Sequence, residues 1–150
     1  MNAFVAAAAG FLLAVLWFDL MFDVQVIGCA DGELPESVLA SIAAYYARVT
    51  TAARPMNRLV AAVMVAMLAA LAVEIGRGGK SSAAAGWVSL LIAVPTFVYT
   101  GAKIVPNAVR LGARADRLER QSALARSVLR GHVICIAAIA SVLIVQLAFA

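Results

Sequence analysis

The chain has 150 residues, 65% of them hydrophobic and only 13% charged, with a mean hydropathy of +0.98. Ordinary globular domains carry charge at roughly a quarter of their positions, so a soluble enzyme and a disordered tail are both excluded as ways of keeping this much apolar surface out of water. The formal charge of +4 calls for no nucleic-acid partner, because charge placed on one side of a membrane and drawn to anionic headgroups accounts for it.

A hydrocarbon core about 30 Å thick needs roughly 20 apolar residues in a helix. The first stretch that qualifies runs from Ala3 to Val26 and carries Asp19, Asp23 and Gln25 late in its length. Two carboxylates four residues apart share one helix face, one turn apart. Val26, Ile27, Gly28 and Cys29 loosely match a lipoprotein cleavage box, but no Lys or Arg precedes the apolar run and both aspartates interrupt it, so a retained helix is expected. After Asp31, Gly32, Glu33, Leu34 and Pro35, the segment Glu36 to Ala53 spaces Val38, Leu39, Ile42, Tyr45, Tyr46 and Val49 by threes and fours. That pattern predicts an amphipathic helix, ended near Pro55.

The second span is predicted over Leu59 to Ile75, followed by a short turn at Gly76, Gly78, Gly79 and Lys80, and the third over Trp87 to Val105. Pro95 lies inside the third span, where it should kink the helix, and the hydroxyls of Thr96, Tyr99 and Thr100 can meet freed backbone groups or face a cavity. Pro106 opens a second amphipathic connection, with Val109, Leu111, Leu118, Leu124, Val128 and Leu129 interleaved with five arginines. The fourth span is predicted over Val133 to Ala150. Strand-type alternation is missing, so the expected fold is all-α: an integral membrane four-helix bundle with amphipathic helical cytoplasmic connections, forming one domain over the whole length. The connections either extend the bundle or lie on the headgroups.

Lys and Arg set the orientation. Ten of the twelve fall at or within the first and third connections; only Arg77 and Lys80 lie in the second. Both termini are therefore expected on the periplasmic side of a bacterial inner membrane, with the long connections in the cytoplasm. In that orientation all four helices bring polar groups to one depth: Asp19 and Asp23; Arg54, Asn57 and Arg58; Lys103 and Asn107; Arg130 and His132. An Asp, Lys or Arg at a span centre costs about 2.5 to 3.5 kcal/mol, so such groups face the bundle and pair. The expected pairing sets Asp19 and Asp23 against Lys103, Arg54, Arg58 and Arg130. These are either structural ion pairs or the lining of a binding site comprising Asp19, Asp23, Arg54, Asn57, Arg58, Lys103, Asn107, Arg130 and His132, with Asp23 and His132 as candidate acid or base.

A single histidine excludes a bis-histidine haem within one subunit. Asp19, Asp23 and His132 have the composition of a two-carboxylate, one-histidine metal set, but the cations at the same level oppose it and no metal is expected. Cys29 and Cys135 form no close-spaced redox motif, and phosphate loops, dinucleotide fingerprints and nucleophile elbows are missing. No cofactor is specified. Arg130, Gly131 and His132 opening the fourth span, after acidic residues late in the first, loosely resemble uncharacterised bacterial membrane families such as the anthrone-oxygenase-like group; three residues carry no function across. The expected partners are the bilayer and a second copy or a larger membrane complex. Three functions fit: binding or moving a small solute or ion through the polar layer; catalysis on a lipid-soluble substrate; or a non-catalytic subunit packing through its small residues.

Overall fold

A computed structural model describes residues 3–29, 32–52 and 54–149, without the side chains of Arg54 and Pro55. Asp31, Ala150 and the Arg54 side chain, which enter the sequence reading, lie outside that description. The described residues are mostly helical, with no strand among them. Helix α1 (Ala3–Asp23) runs into a 3₁₀ turn at Val24–Val26, and α2 (Glu36–Ala47) into a π-helical turn at Arg48–Ala52. Then come α3 (Arg54–Arg77), α4 (Lys80–Tyr99), a π-helical turn at Thr100–Ile104, α5 (Val105–Ala113) and α6 (Leu118–Ala148).

Four helical segments are long and apolar enough to cross a membrane: Ala3–Val26, Met56–Arg77, Lys80–Ala113 and Leu118–Ala148. This is the architecture of a multi-pass membrane protein. Large apolar side chains cover the outside, among them Leu91 at 71% exposure, Ile27 at 69% and Trp17 at 65%, a surface that only lipid or another apolar surface can cover. The helices outrun the expected spans for a local reason. Lys80 to Gly86 is Ser- and Ala-rich and enters α4 directly behind the extended Gly79, while nothing from Leu118 to Arg130 breaks a helix, so the end of the third connection and the fourth span are one rod.

The bundle is arranged in ring order α1, α3, α4, α6. Lipid gives apolar helices no reason to associate, so close packing must hold them. At the arginine-poor end that packing joins Val5, Ala8, Ala9 and Leu12 of α1 to Met67 and Leu71 of α3, Ala93 of α4, and Ile139 and Val142 of α6. A buried Gln146 Nε2 donates to Ser89 Oγ at 3.1 Å in the same half.

The arginine-rich end has its own core. Amphipathic α2 and α5 pack on each other and on α6, burying Leu34, Leu39, Ile42, Tyr46, Ala108, Leu111, Leu124 and Val128. The connections thus extend the bundle. Pro35 starts α2, with Glu36 in its first turn where the helix dipole favours a carboxylate. The loop before α2 is held by Leu34 N donating to Ser122 Oγ (2.9 Å) and Arg126 Nη1 donating to the carbonyl of Gly32 (2.5 Å). Gly32 sits at φ +114°, a conformation that favours glycine. Ion pairs Arg114–Glu36 and Arg110–Asp116 lie outside this core.

Gly112 sets how closely α2 and α5 approach. A Cβ there would lie 2.6 Å from Ala47 N and 2.9 Å from the carbonyl carbon of Tyr46, both backbone atoms that cannot step aside. Gly112→Ala should therefore destabilise the protein by about 1–3 kcal/mol through overpacking, despite alanine's better helix propensity. Thermal unfolding in detergent checks this, with exposed Gly10→Ala, where a Cβ meets nothing within 4 Å, as the control expected to leave stability unchanged or slightly raised.

Candidate functional site

Asp19 and Asp23 project from the end of α1 toward α2 and α6. Tyr45 Oη donates to Asp19 Oδ1 and Tyr46 Oη to Asp23 Oδ1, each at 2.7 Å. His132 of α6 lies between the two carboxylates, with Nδ1 2.7 Å from Asp23 Oδ2 and Nε2 3.8 Å from Asp19 Oδ2. Asp23 is 1% exposed and His132 5%. An ionised Asp23 accepts from both Tyr46 and His132 Nδ1–H, which leaves His132 Nε2 as the free ring nitrogen.

Local packing fixes these rotamers. The Tyr45 ring stacks on Phe22 with centroids 4.0 Å apart and planes at 11°, and Tyr46 meets Tyr45 edge-on. Beside His132, Gly131 lets the Ile104 side chain approach to 2.8 Å of where a Cβ would stand. The turn carrying Ile104 therefore sits against α6 at the level of the histidine.

One wall of a cavity of about 450 Å³ is formed by Asp19, Tyr45, Tyr46 and His132. The other walls are mainly apolar and include Leu12, Leu16, Val60, Met64, Phe97 and Ile139. This volume and lining fall within the range of small-molecule sites. Thr96 and Thr100 also line it, but their hydroxyls turn back to the carbonyls of Ile92 (2.7 Å) and Thr96 (2.9 Å), so they soften the helix around Pro95 more than they offer donors. The exposed lining residues Met56, Val105 and Val109 (47%, 49% and 43%) belong to the start of α3 and to α5. The mouth lies there.

The remaining candidates are distributed differently. Asn57 lines the cavity and donates to the carbonyl of Thr50 at 2.9 Å. Asn107 donates to Ser127 Oγ at 3.1 Å. Arg58, Lys103 and Arg130 are exposed, and among the described residues none of them pairs with Asp19 or Asp23. In place of these three expected partners the carboxylates meet two phenols and an imidazole, because long basic side chains near a helix end reach outward to polar surroundings at less cost than they fold inward. Arg130 instead borders a separate polar groove with Tyr99, Glu119, Arg126 and Ser127. Cys29 and Cys135 are both free thiols. Among the described residues no group of three His, Cys, Asp or Glu side chains is arranged to hold a metal; His132 presents its two nitrogens to different carboxylates.

Tyr45 and Tyr46 escaped the sequence reading as site residues because they fit the apolar face of α2. The available signal was their adjacency: consecutive tyrosines opposite two carboxylates one turn apart. No known protein family, curated protein or solved structure matches the chain, so the functional reading rests on this geometry.

Burial, followed by the neighbouring carboxylates, pushes both the Tyr45 and Tyr46 hydroxyls well above the ordinary phenol value of 10.0. A raised value in the folded state means that the protonated phenols stabilise the fold fully below pH 10 and lose that contribution as pH rises through the higher folded-state values. About one unit above the ordinary value, Tyr45→Phe and Tyr46→Phe should show the same tyrosinate absorbance as the parent protein; a drop in either would mean that its phenol ionises normally. Tyr46→Phe, which strips a donor from buried Asp23, should also cost about 1–3 kcal/mol in thermal unfolding.

Proposed function

We propose that the protein resides in a bacterial inner membrane and binds a small lipid-soluble molecule in the cavity, with His132 and Asp23 exchanging a proton with its polar end. The observation that carries this is the junction between a buried Asp/Tyr/His cluster and a mainly apolar cavity with exposed Met56, Val105 and Val109 at its mouth. In this reading the arginine-rich end faces the cytoplasm and both termini face the periplasm, in accord with the ten-to-two distribution of basic residues. The mouth then lies in the inner leaflet and admits molecules dissolved in lipid.

Toward the arginine-poor end, the packing of Val5, Ala9, Met67, Leu71 and Val142 backs the cavity. That favours binding over an open pathway; export would require these helices to part, and a second copy of the chain would supply the missing wall. A purely structural role, as a subunit of a larger complex, would give no reason to keep a cavity against buried carboxylates.

Catalysis on a lipid-soluble substrate is the second reading, favoured by the histidine's orientation. Asp23 holds Nδ1, which fixes the tautomer and aims Nε2 at the cavity wall, the arrangement a general base requires.

Native mass spectrometry of the protein released from mild detergent tests the binding reading. The parent should retain a small apolar molecule. Gly101→Phe should lose it, because Gly101 lines the mouth with nothing within 4 Å of an added Cβ and a ring there would obstruct entry; His132→Ala should hold it more weakly. A parent protein that carries nothing, or a Gly101→Phe variant loaded as fully as the parent, would overturn the proposal.

A further inference from the structure

Resting on the binding reading, we infer that the site selects a lipid-soluble amine in its protonated form: an apolar body carrying a primary or secondary ammonium group, docked between Asp19 Oδ2 and His132 Nε2.

The charge inventory comes first. Two carboxylates, Asp19 and Asp23, stand against one imidazole, and no Lys or Arg is among the described residues lining the cavity. With both carboxylates ionised, the cluster stays negative even against a protonated His132. An anionic head, carboxylate or phosphate, would meet like charge with no cation among the described lining residues to receive it, in surroundings where such repulsion is poorly screened. The basic side chains that the structure describes are engaged or directed elsewhere. Arg58, Lys103 and Arg130 are exposed, Arg114 and Arg110 are paired with Glu36 and Asp116, and Arg126 reaches the carbonyl of Gly32.

Hydrogen-bond valence then separates an amine from a neutral hydroxyl. Asp19 Oδ1 is occupied by Tyr45, and both oxygens of Asp23 are occupied, by Tyr46 and by His132 Nδ1. Asp19 Oδ2 and His132 Nε2 are left, 3.8 Å apart, with no closer hydrogen-bond partner among the described residues. With Nδ1–H given to Asp23, both remaining atoms are acceptors. A hydroxyl carries one proton and serves one of them. A primary or secondary ammonium carries at least two N–H donors and serves both, as charge-assisted hydrogen bonds.

The walls suit the rest of such a molecule. Tyr45, Tyr46 and Phe97 place aromatic rings around the cavity, where ring faces attract a cation, and aliphatic side chains line the way to the mouth. A single-chain amine of moderate length fits a cavity of about 450 Å³.

The test uses three probes with the same chain: decylamine, decanol and decanoate. Each is titrated against the full-length protein in phosphatidylcholine nanodiscs, with empty discs correcting for partition into lipid. Apparent affinity is read from thermal stabilisation, since a ligand that binds only the folded protein raises its midpoint. Decylamine is expected to bind at least about tenfold more tightly than decanol, with decanoate weakest. Asp19→Asn, close in shape, should lose the preference for the amine while still binding decanol, which shows that the variant is folded and its cavity intact. Equal or tighter binding of decanol or decanoate, or an undiminished amine preference in Asp19→Asn, overturns the inference and leaves the binding reading standing. If none of the three probes stabilises the parent, both fall.

Discussion

Burying Asp23 creates an obligation that organises one end of the molecule. A carboxylate withdrawn from water is tolerated only when both oxygens find donors. Here the donors come from two other helices, Tyr46 of α2 and His132 of α6, each at 2.7 Å. One side chain therefore ties a membrane-spanning helix, a short amphipathic connection and the last long helix to a common point. Asp19 repeats the arrangement one turn earlier with Tyr45, and the histidine between them couples the two carboxylates. Neutral phenols serve better than Lys or Arg would, because they satisfy the oxygens without bringing a second desolvated charge into the bundle.

The cavity sits where two differently packed regions meet. At one end, small and aliphatic side chains from all four spans close together; at the other, α2 and α5 are drawn onto α6, with Gly112 permitting backbone contact. Residues of all four spans line the cavity between these regions, and both π-helical turns, Arg48–Ala52 and Thr100–Ile104, contribute to its wall: Val49, Thr50, Thr100, Gly101 and Ile104 all line it. Turns of this kind insert a residue into a helix and often occur at functional sites. In lipid, irregular backbone is tolerated where protein or a cavity surrounds it. The exposed lining residues Met56, Val105 and Val109 put the opening at the start of α3 and along α5.

Much of this was readable in the sequence. Runs of Ala, Leu, Val and Ile located four spans, and the three- and four-residue spacing from Val38 to Val49 marked α2 before its partner was known. Asp19, Asp23 and His132 stood out because ionisable groups are rare in such segments. Their partners were less legible. Arg58, Lys103 and Arg130 lie at the right depth along the chain, and depth was all the sequence supplied. Which side of each helix they occupy depends on how the helices rotate against one another, so three cations that were expected to pair inward are exposed. Tyr45 and Tyr46 were hidden for the opposite reason, since an aromatic ring on an apolar face looks like core until a carboxylate is found opposite its hydroxyl.

By itself, the sequence determined the class of protein, because apolar length and charge scarcity are properties of the chain that no packing can alter. It also determined the level at which polar groups gather, since depth follows from residue count along a helix. The tertiary structure decided which of those groups meet. A hydrogen bond at 2.7 Å depends on rotation and approach of separate helices, governed by Gly112 and Gly131 and by the docking of α2, contacts distant in sequence that leave no periodic trace.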